Sequence, residues 1–240
     1  MPEIAIVLVE PLHEGNVGFA ARVMKNFGFS DLILVNPCPL GDLALACAMH
    51  ASDVLENART LTMEEVFAGY QLIIAATGAY SKSVCRSTRM PYYSPKEIRE
   101  QIRNVKGKVA ILFGRENRGL SNDEVSRCDL ICTIPASQKY PILNVSHAVG
   151  IVCYELTDLP GGTYSLAARE EMERLYEHLD TFLDRIDHPD FKRKNTLLMA
   201  RRILGRTRLT PREVSTIHGI LRRAEWHMRE KGEEEEEKNG

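Results

Sequence analysis

Apolar residues fall in short unbroken runs over the first two thirds of the chain and at helical spacing over the remainder. Five runs stand out: EIAIVLVE (3–10), LILVN (32–36), QLIIAATG (71–78), KVAILFG (108–114) and LICTI (130–134). Each has strand length, and several end in Gly or Pro. Between them the spacing predicts helices. Residues 16–27 carry Val17, Ala20, Ala21 and Met24 on one side, and Gly28 suits a C-terminal stop. Further helical pieces fall around 42–50 and 62–68, and residues 144–156 are apolar at helical spacing. Strands that are apolar throughout, alternating with helices, predict a parallel sheet covered on both faces. Residues 1–160 therefore read as one α/β domain.

Pro160-Gly161-Gly162 marks a boundary, and no strand signal follows it. Residues 165–186 place Leu175, Leu179, Phe182, Leu183 and Ile186 on one stripe. Pro189 opens a second helix that ends near Gly205. Thr210-Pro211-x-Glu213 combines an N-cap, a proline at the first helical position and a glutamate at the third. A last helix follows, with Val214, Ile217, Leu221, Ala224 and Met228 along one side. Residues 163–229 thus read as a small all-α domain. The tail, 230–240, is polar enough to be expected disordered.

Composition narrows the class. The chain has 240 residues, 44% hydrophobic and 27% charged, which is ordinary for a globular protein. No apolar run approaches the ~18 residues of a membrane span. The N-terminus carries Glu3 and Glu10 beside its apolar run and reads as a strand, not a signal peptide. Six cysteines include one close pair, Cys128 and Cys132, with no second pair at zinc-site spacing. Free thiols in a reducing, cytoplasmic compartment and no bound metal are expected. Net charge is only −2, but its distribution is uneven: residues 189–229 hold eleven Lys and Arg against three Asp and Glu. Such clustering suits phosphate contacts, or equally a solvated face that balances neighbouring acids.

In an open parallel sheet, ligands bind at the carboxyl ends of the strands. Four loops qualify: residues 10–16, 77–79, 114–121 and 134–144. The chain has no GxxxxGK[ST], its first turn (EPLHEGNVG) lacks GxGxxG, and there is no GxSxG. A nucleoside-triphosphate loop, a dinucleotide site and a serine-hydrolase elbow are therefore set aside.

The loops resemble a known family. Asn16-x-Gly18-x-x-x-Arg22, then Phe113-Gly114-Arg115-Glu116-x-x-Gly119-Leu120, then Ile134-Pro135 with Leu143-Asn144-Val145-Ser146-x-Ala148 are similar to the three motifs of the SpoU–TrmD (SPOUT) methyltransferases, in the same order. VLVEP near the start, ASDVLENA (51–58) and the helical extension resemble the branch that methylates the ribose of nucleotide 32 in the tRNA anticodon loop. Ile142 departs from the pattern, where Ser is common.

The resemblance implies an α/β knot: a parallel sheet flanked by helices, with a C-terminal trefoil knot, followed by the small all-α domain. It implies S-adenosylmethionine as cofactor, held by Thr77, Gly78, Ala79, Gly114, Ile134, Pro141, Ile142 and Leu143. It implies a homodimer with the active site at the subunit interface, tRNA as partner, and neither membrane nor metal. Among catalytic candidates Arg22 leads, with Asn16, Glu116, Asn144 and Ser146 as further participants or as braces of the loops. A guanidinium stays protonated, which favours orienting a phosphate and stabilising alkoxide charge over acting as a base. RNA-binding candidates are Lys82 and Arg86, with Arg89 beside them, and Arg193, Arg201, Arg202 and Arg206 in the helical part. Asn16 also suits a helix cap, Arg115 and Glu116 suit a structural ion pair, and Tyr140 suits either a base stack or the core.

Overall fold

The structure, a computed structural model, describes residues 2–78, 89–137 and 139–239. It divides into two compact units, residues 1–165 and 166–240.

The first unit is built on a six-stranded sheet. Its strands are β1 (Glu3–Val9), β2 (Leu32–Val35), β3 (Arg59–Thr60), β4 (Leu72–Ala76), β6 (Lys108–Phe113) and β7 (Leu130–Cys132). They run β3-β2-β1-β6-β4-β7, every neighbouring pair parallel. Register is continuous across the centre: Ala5 faces Ala110, and Ala110 faces Ile73. Between the strands lie α1 (Glu14–Asn26), α2 (Asp42–Ala48), α3 (Ser52–Glu56), α4 (Met63–Gly69), α5 (Pro95–Ile102), α6 (Asn122–Arg127) and α7 (Val145–Leu156).

Alternate strand residues point to opposite faces. One set, including Ala5, Val7, Ile33, Ile73 and Leu112, packs with Val66 and Phe67 of α4 and Val125 of α6. The other set, including Ile6, Leu8, Leu32, Ile74 and Ile111, is equally buried. Separately, α7 packs against both α1 and α5. Each such Ile or Leu contributes about 1.5–3 kcal/mol by leaving water, which is why these runs read as unbroken apolar sequence.

Two strands carry no apolar signal. β5 (Val105–Lys106) and β8 (Tyr164–Ser165) pair with each other in a separate ribbon, and Thr163 N–H donates to Asn104 O at 2.9 Å. Residues 163–165 therefore belong to the first unit, and the expected start of the helical domain moves from 163 to 166.

The second unit holds α8 (Arg169–Arg185), α9 (Asp190–Thr207) and α10 (Pro211–Asn239). Its core is Ala167, Met172, Leu175, Tyr176 and Val214, with Leu204, Ile217 and Leu221 against it. Thr210 caps α10: its hydroxyl accepts from Glu213 N while the Glu213 carboxylate accepts from Thr210 N at 2.7 Å. The helix runs on to Asn239 where a disordered tail was expected from residue 230. Glutamate is a good helix former, and extending an established helix adds one hydrogen bond per residue.

Among the described residues no helix is long and apolar enough to cross a membrane. Nor does any group of three His, Cys, Asp or Glu among them suit a metal ion.

Candidate active site

The loops that leave β4, β6 and β7 converge on one cavity of about 270 Å³. Thr77 and Gly78 come from the first, Gly114 to Leu120 from the second, and Ile134, Pro141, Ile142 and Leu143 from the third. Every described residue proposed as a cofactor contact lines this space; Ala79 lies outside the described residues. Close approach dictates glycine at two places. A Cβ on Gly114 would collide with the backbone of Gly119 and Leu120, and one on Gly78 would stand 2.9 Å from Ile142 Cδ1. Arg89 braces two of the loops, donating to Thr77 Oγ1 at 2.6 Å and to Leu120 O at 2.8 Å. The same side chain lines the cavity. Lys82 and Arg86 lie outside the described residues. Cys132 also lines the cavity, and burial pushes its thiol up to about 12, so it stays a neutral, inert wall.

A polar chain leads out of the cavity. The Glu116 carboxylate accepts from Leu12 N at 2.9 Å and from Asn16 Nδ2 at 2.9 Å, with His13 N at 3.4 Å. Asn16 Oδ1 accepts from Asn144 Nδ2 at 3.0 Å. Asn144 Oδ1 in turn caps α7, accepting from Ser146 N at 2.9 Å and Ser146 Oγ at 2.7 Å. Burial disfavours the charged carboxylate of Glu116. The donors from Asn16, Leu12 and His13 outweigh burial and hold its acidity below the ordinary 4.5. Both oxygens accept hydrogen bonds, so the carboxylate braces the loops at Leu12 and Asn16. Asn16 does not cap α1; the N-cap there is His13, which makes no side-chain cap bond.

Arg115 does not pair with Glu116. Its 8% exposed guanidinium bridges Glu10, at 2.6 and 2.7 Å, and Glu124, at 2.9 Å on both oxygens.

Arg22 is not on the cavity wall. It lines a neighbouring groove between α1 and α7, together with Asn16, Asn144 and Ser146. Its side chain is exposed and has no hydrogen-bond or ion-pair partner among the described residues. The same groove exposes Phe19 (47%), Ile151 (37%) and Tyr154 (62%). Tyr140, 81% exposed, is outside the core.

In the helical unit the basic candidates separate. Arg193 is tied to Asp180 and Asp184, at 2.5 and 2.8 Å. Arg201 is held by Glu173 at 2.7 Å and lies over the Tyr176 ring. Arg202 is 3% exposed and so does not present its charge to a surface ligand. Arg206 is exposed. Acids of α8 one or two turns apart satisfy the first two, which a count of charges in α9 does not reveal.

A parallel sheet with glycine-bordered loops at its carboxyl edge defines an α/β protein built to hold a small nucleotide-like molecule. The SpoU rRNA Methylase family matches residues 3–154, and the tRNA methyltransferase TrmJ, C-terminal domain, matches residues 170–236. The chain belongs to the SpoU methylase family, in the branch that carries the TrmJ C-terminal domain. It is 35% identical over 223 residues to the tRNA (cytidine-2'-O-)-methyltransferase TrmJ of Methanocaldococcus jannaschii, covering 89% of this chain and 96% of that one. It is 34% identical over 239 residues to the tRNA (cytidine/uridine-2'-O-)-methyltransferase TrmJ of Sodalis glossinidius, covering 91% and 89%. Among solved structures, TrmJ from Z. mobilis ZM4 aligns at TM-score 0.73 and 32% identity, over 94% of this chain and 99% of that one.

Proposed function

We propose that the chain transfers a methyl group from S-adenosylmethionine to the ribose 2′-oxygen of nucleotide 32 in tRNA. The observation that carries the reading is the gathering of Thr77, Gly78, Gly114, Ile134, Pro141, Ile142 and Leu143 around one cavity. The activities named for relatives that match nearly the full chain support it. S-adenosylmethionine supplies an electrophilic methyl on a sulfonium, so the protein's task is chiefly positioning. Ile134, Ile142 and Leu143 offer apolar faces to an adenine ring. Glycine at 78 and 114 leaves backbone groups free to bond its edge.

Arg22 is the residue proposed to meet the substrate. Its unpaired guanidinium suits a bidentate grip on the adjoining phosphate and stabilisation of alkoxide charge. Asn16, Asn144 and Ser146 position α1 and α7 around it. Two copies of the chain, meeting through the exposed Phe19, Ile151 and Tyr154, would cover this apolar groove and set Arg22 of one copy beside the cavity of the other. Arg206 remains among the named residues as an RNA contact on the helical unit, with Lys82 and Arg86 as sequence-based candidates on the first unit. The knotted threading implied by the motifs is part of the same proposal.

Mass spectrometry of nuclease digests tests it, after tRNA and ribosomal RNA transcripts are incubated separately with protein and donor. The expected result is a single 2′-O-methylated nucleotide at position 32 of tRNA. Modification of ribosomal RNA alone would overturn the substrate assignment. The same digest reads whether cytidine only or uridine as well is accepted.

A further inference from the structure

Between α8 and α10 the helical unit has a notch of about 290 Å³, walled by Arg174, Ser215, His218 and Arg222, with Glu171 also on it. Arg174 and Arg222 are exposed, and neither has a hydrogen-bond or ion-pair partner among the described residues. This sets them apart from Arg185, Arg193 and Arg201, each held by a carboxylate. The one acid in the notch is already engaged: Glu171 accepts from Ala168 N at 2.7 Å in the cap of α8. Two unpaired guanidiniums brought to one concavity repel each other unless an anion joins them.

The histidine beside them, His218, is paired with a second imidazole. Glu225 Oε1 stands 3.3 Å from His178 Nε2 and 2.9 Å from Arg185 Nη1. His218 Nδ1 lies 2.8 Å from His178 Nδ1, one ring donating and the other accepting, and the two rings stack 5.0 Å apart. Burial first, then the positive field of His178, Arg222 and Arg174, keeps the acidity of His218 below the ordinary 6.5, so the ring is neutral near pH 7. An anion in the notch reverses that field.

We propose that the notch binds a phosphate group through Arg174 and Arg222, with His218 taking up a solvent proton as the phosphate arrives. Binding then tightens as pH falls. On the tRNA reading above, the source is a backbone phosphate of the tRNA; free phosphate presents the same chemistry.

Two measurements on the full chain test this. In the first, inorganic phosphate is titrated against the histidine C2–H proton resonances. Phosphate should raise the midpoint of His218, and Arg174→Ala/Arg222→Ala should abolish the rise. A His218 midpoint indifferent to phosphate overturns the proposal. In the second, affinity for a tRNA transcript is measured against salt at about pH 8 and about pH 6.5. The double variant should bind about tenfold more weakly, with a salt slope lower by about one to two. His218→Gln should match the parent at the higher pH and lose the gain at the lower one. Arg223→Ala, an exposed neighbour outside the notch, should cost under about threefold; an equal loss there would reduce the effect to general charge and overturn a built site. A midpoint shift with unchanged tRNA affinity supports the notch and assigns it to free phosphate. Failure of the parent chain to methylate tRNA would sink the proposed function, while the phosphate titration still decides the notch.

Discussion

Replacing Glu116 with alanine removes the acceptor for Leu12 N, Asn16 Nδ2 and, at longer range, His13 N. A hydrogen bond to a charged acceptor contributes about 1.5–3 kcal/mol. The surroundings are half open to water, so the lower figure applies, and the 3.4 Å contact adds little. Two good bonds then sum to about 3 kcal/mol, a large part of the ~5–15 kcal/mol that holds a typical domain. Glu116→Gln retains one acceptor oxygen without its charge and should cost about half as much. Urea denaturation reads both values, and donor calorimetry reads the cavity. Both variants should weaken donor binding in proportion to their loss of stability, because the loop from 114 to 121 is a wall of the cavity. The carboxyl ionises below its ordinary 4.5 in the folded chain. Its contribution is therefore complete above that pH and lost as pH falls through the lower folded value. The gap between parent and Glu116→Gln should close in acid. A Glu116→Gln chain that is fully stable, binds donor normally and yet fails to transfer methyl would refute the bracing role and make this carboxylate a participant in the chemistry.

Other substitutions separate the parts of the site. Arg22→Ala should leave donor affinity unchanged and reduce methyl transfer by at least about a hundredfold, scaled to the loss of a transition-state donor; tritium transfer to tRNA measures it, and undiminished turnover removes Arg22 from the reaction. Gly114→Ala forces a methyl into the Gly119–Leu120 backbone and should cost about 3 kcal/mol or more and abolish donor binding, whereas Gly78→Ala, which meets only the mobile end of Ile142, should reduce donor affinity with little change in thermal midpoint. Tyr154→Asp, in an exposed apolar groove, should give a folded monomer by sedimentation; an unchanged sedimentation coefficient would place the subunit contact elsewhere.

Much of the first unit was legible in the chain because its strands are buried on both faces. Ile6, Ile74 and Ile111 sit in runs with no polar interruption, and only a covered parallel sheet asks for that. α5 and α6 were not read, being short and polar. Their signals were nonetheless present as Ser94-x-x-Glu97 and Ser121-x-x-Glu124, both capping boxes in the fold. β3 and β8, two residues each, carry no periodicity. The cavity was legible through its glycines and motif order. The hold of Arg89 on Thr77 was not legible, because a guanidinium looks the same in sequence whatever it grips. The ion pairs of Arg193 and Arg201 were hidden for a related reason. Their partners Asp180 and Glu173 lie on the preceding helix, and which cations remain unpaired depends on the packing of α8 against α9.

The four side chains from Glu116 to Ser146 have a practical consequence for anyone redesigning donor choice. Because one hydrogen-bonded line serves the cavity at one end and the Arg22 groove at the other, enlarging the cavity by trimming that line would disturb both reactants at once. Ile142 offers an independent handle. It is 53% exposed, contributes no polar contact to the line, and stands over Gly78. Shortening it to valine or alanine opens the roof for bulkier sulfonium analogues while the geometry of the receiving hydroxyl is left alone.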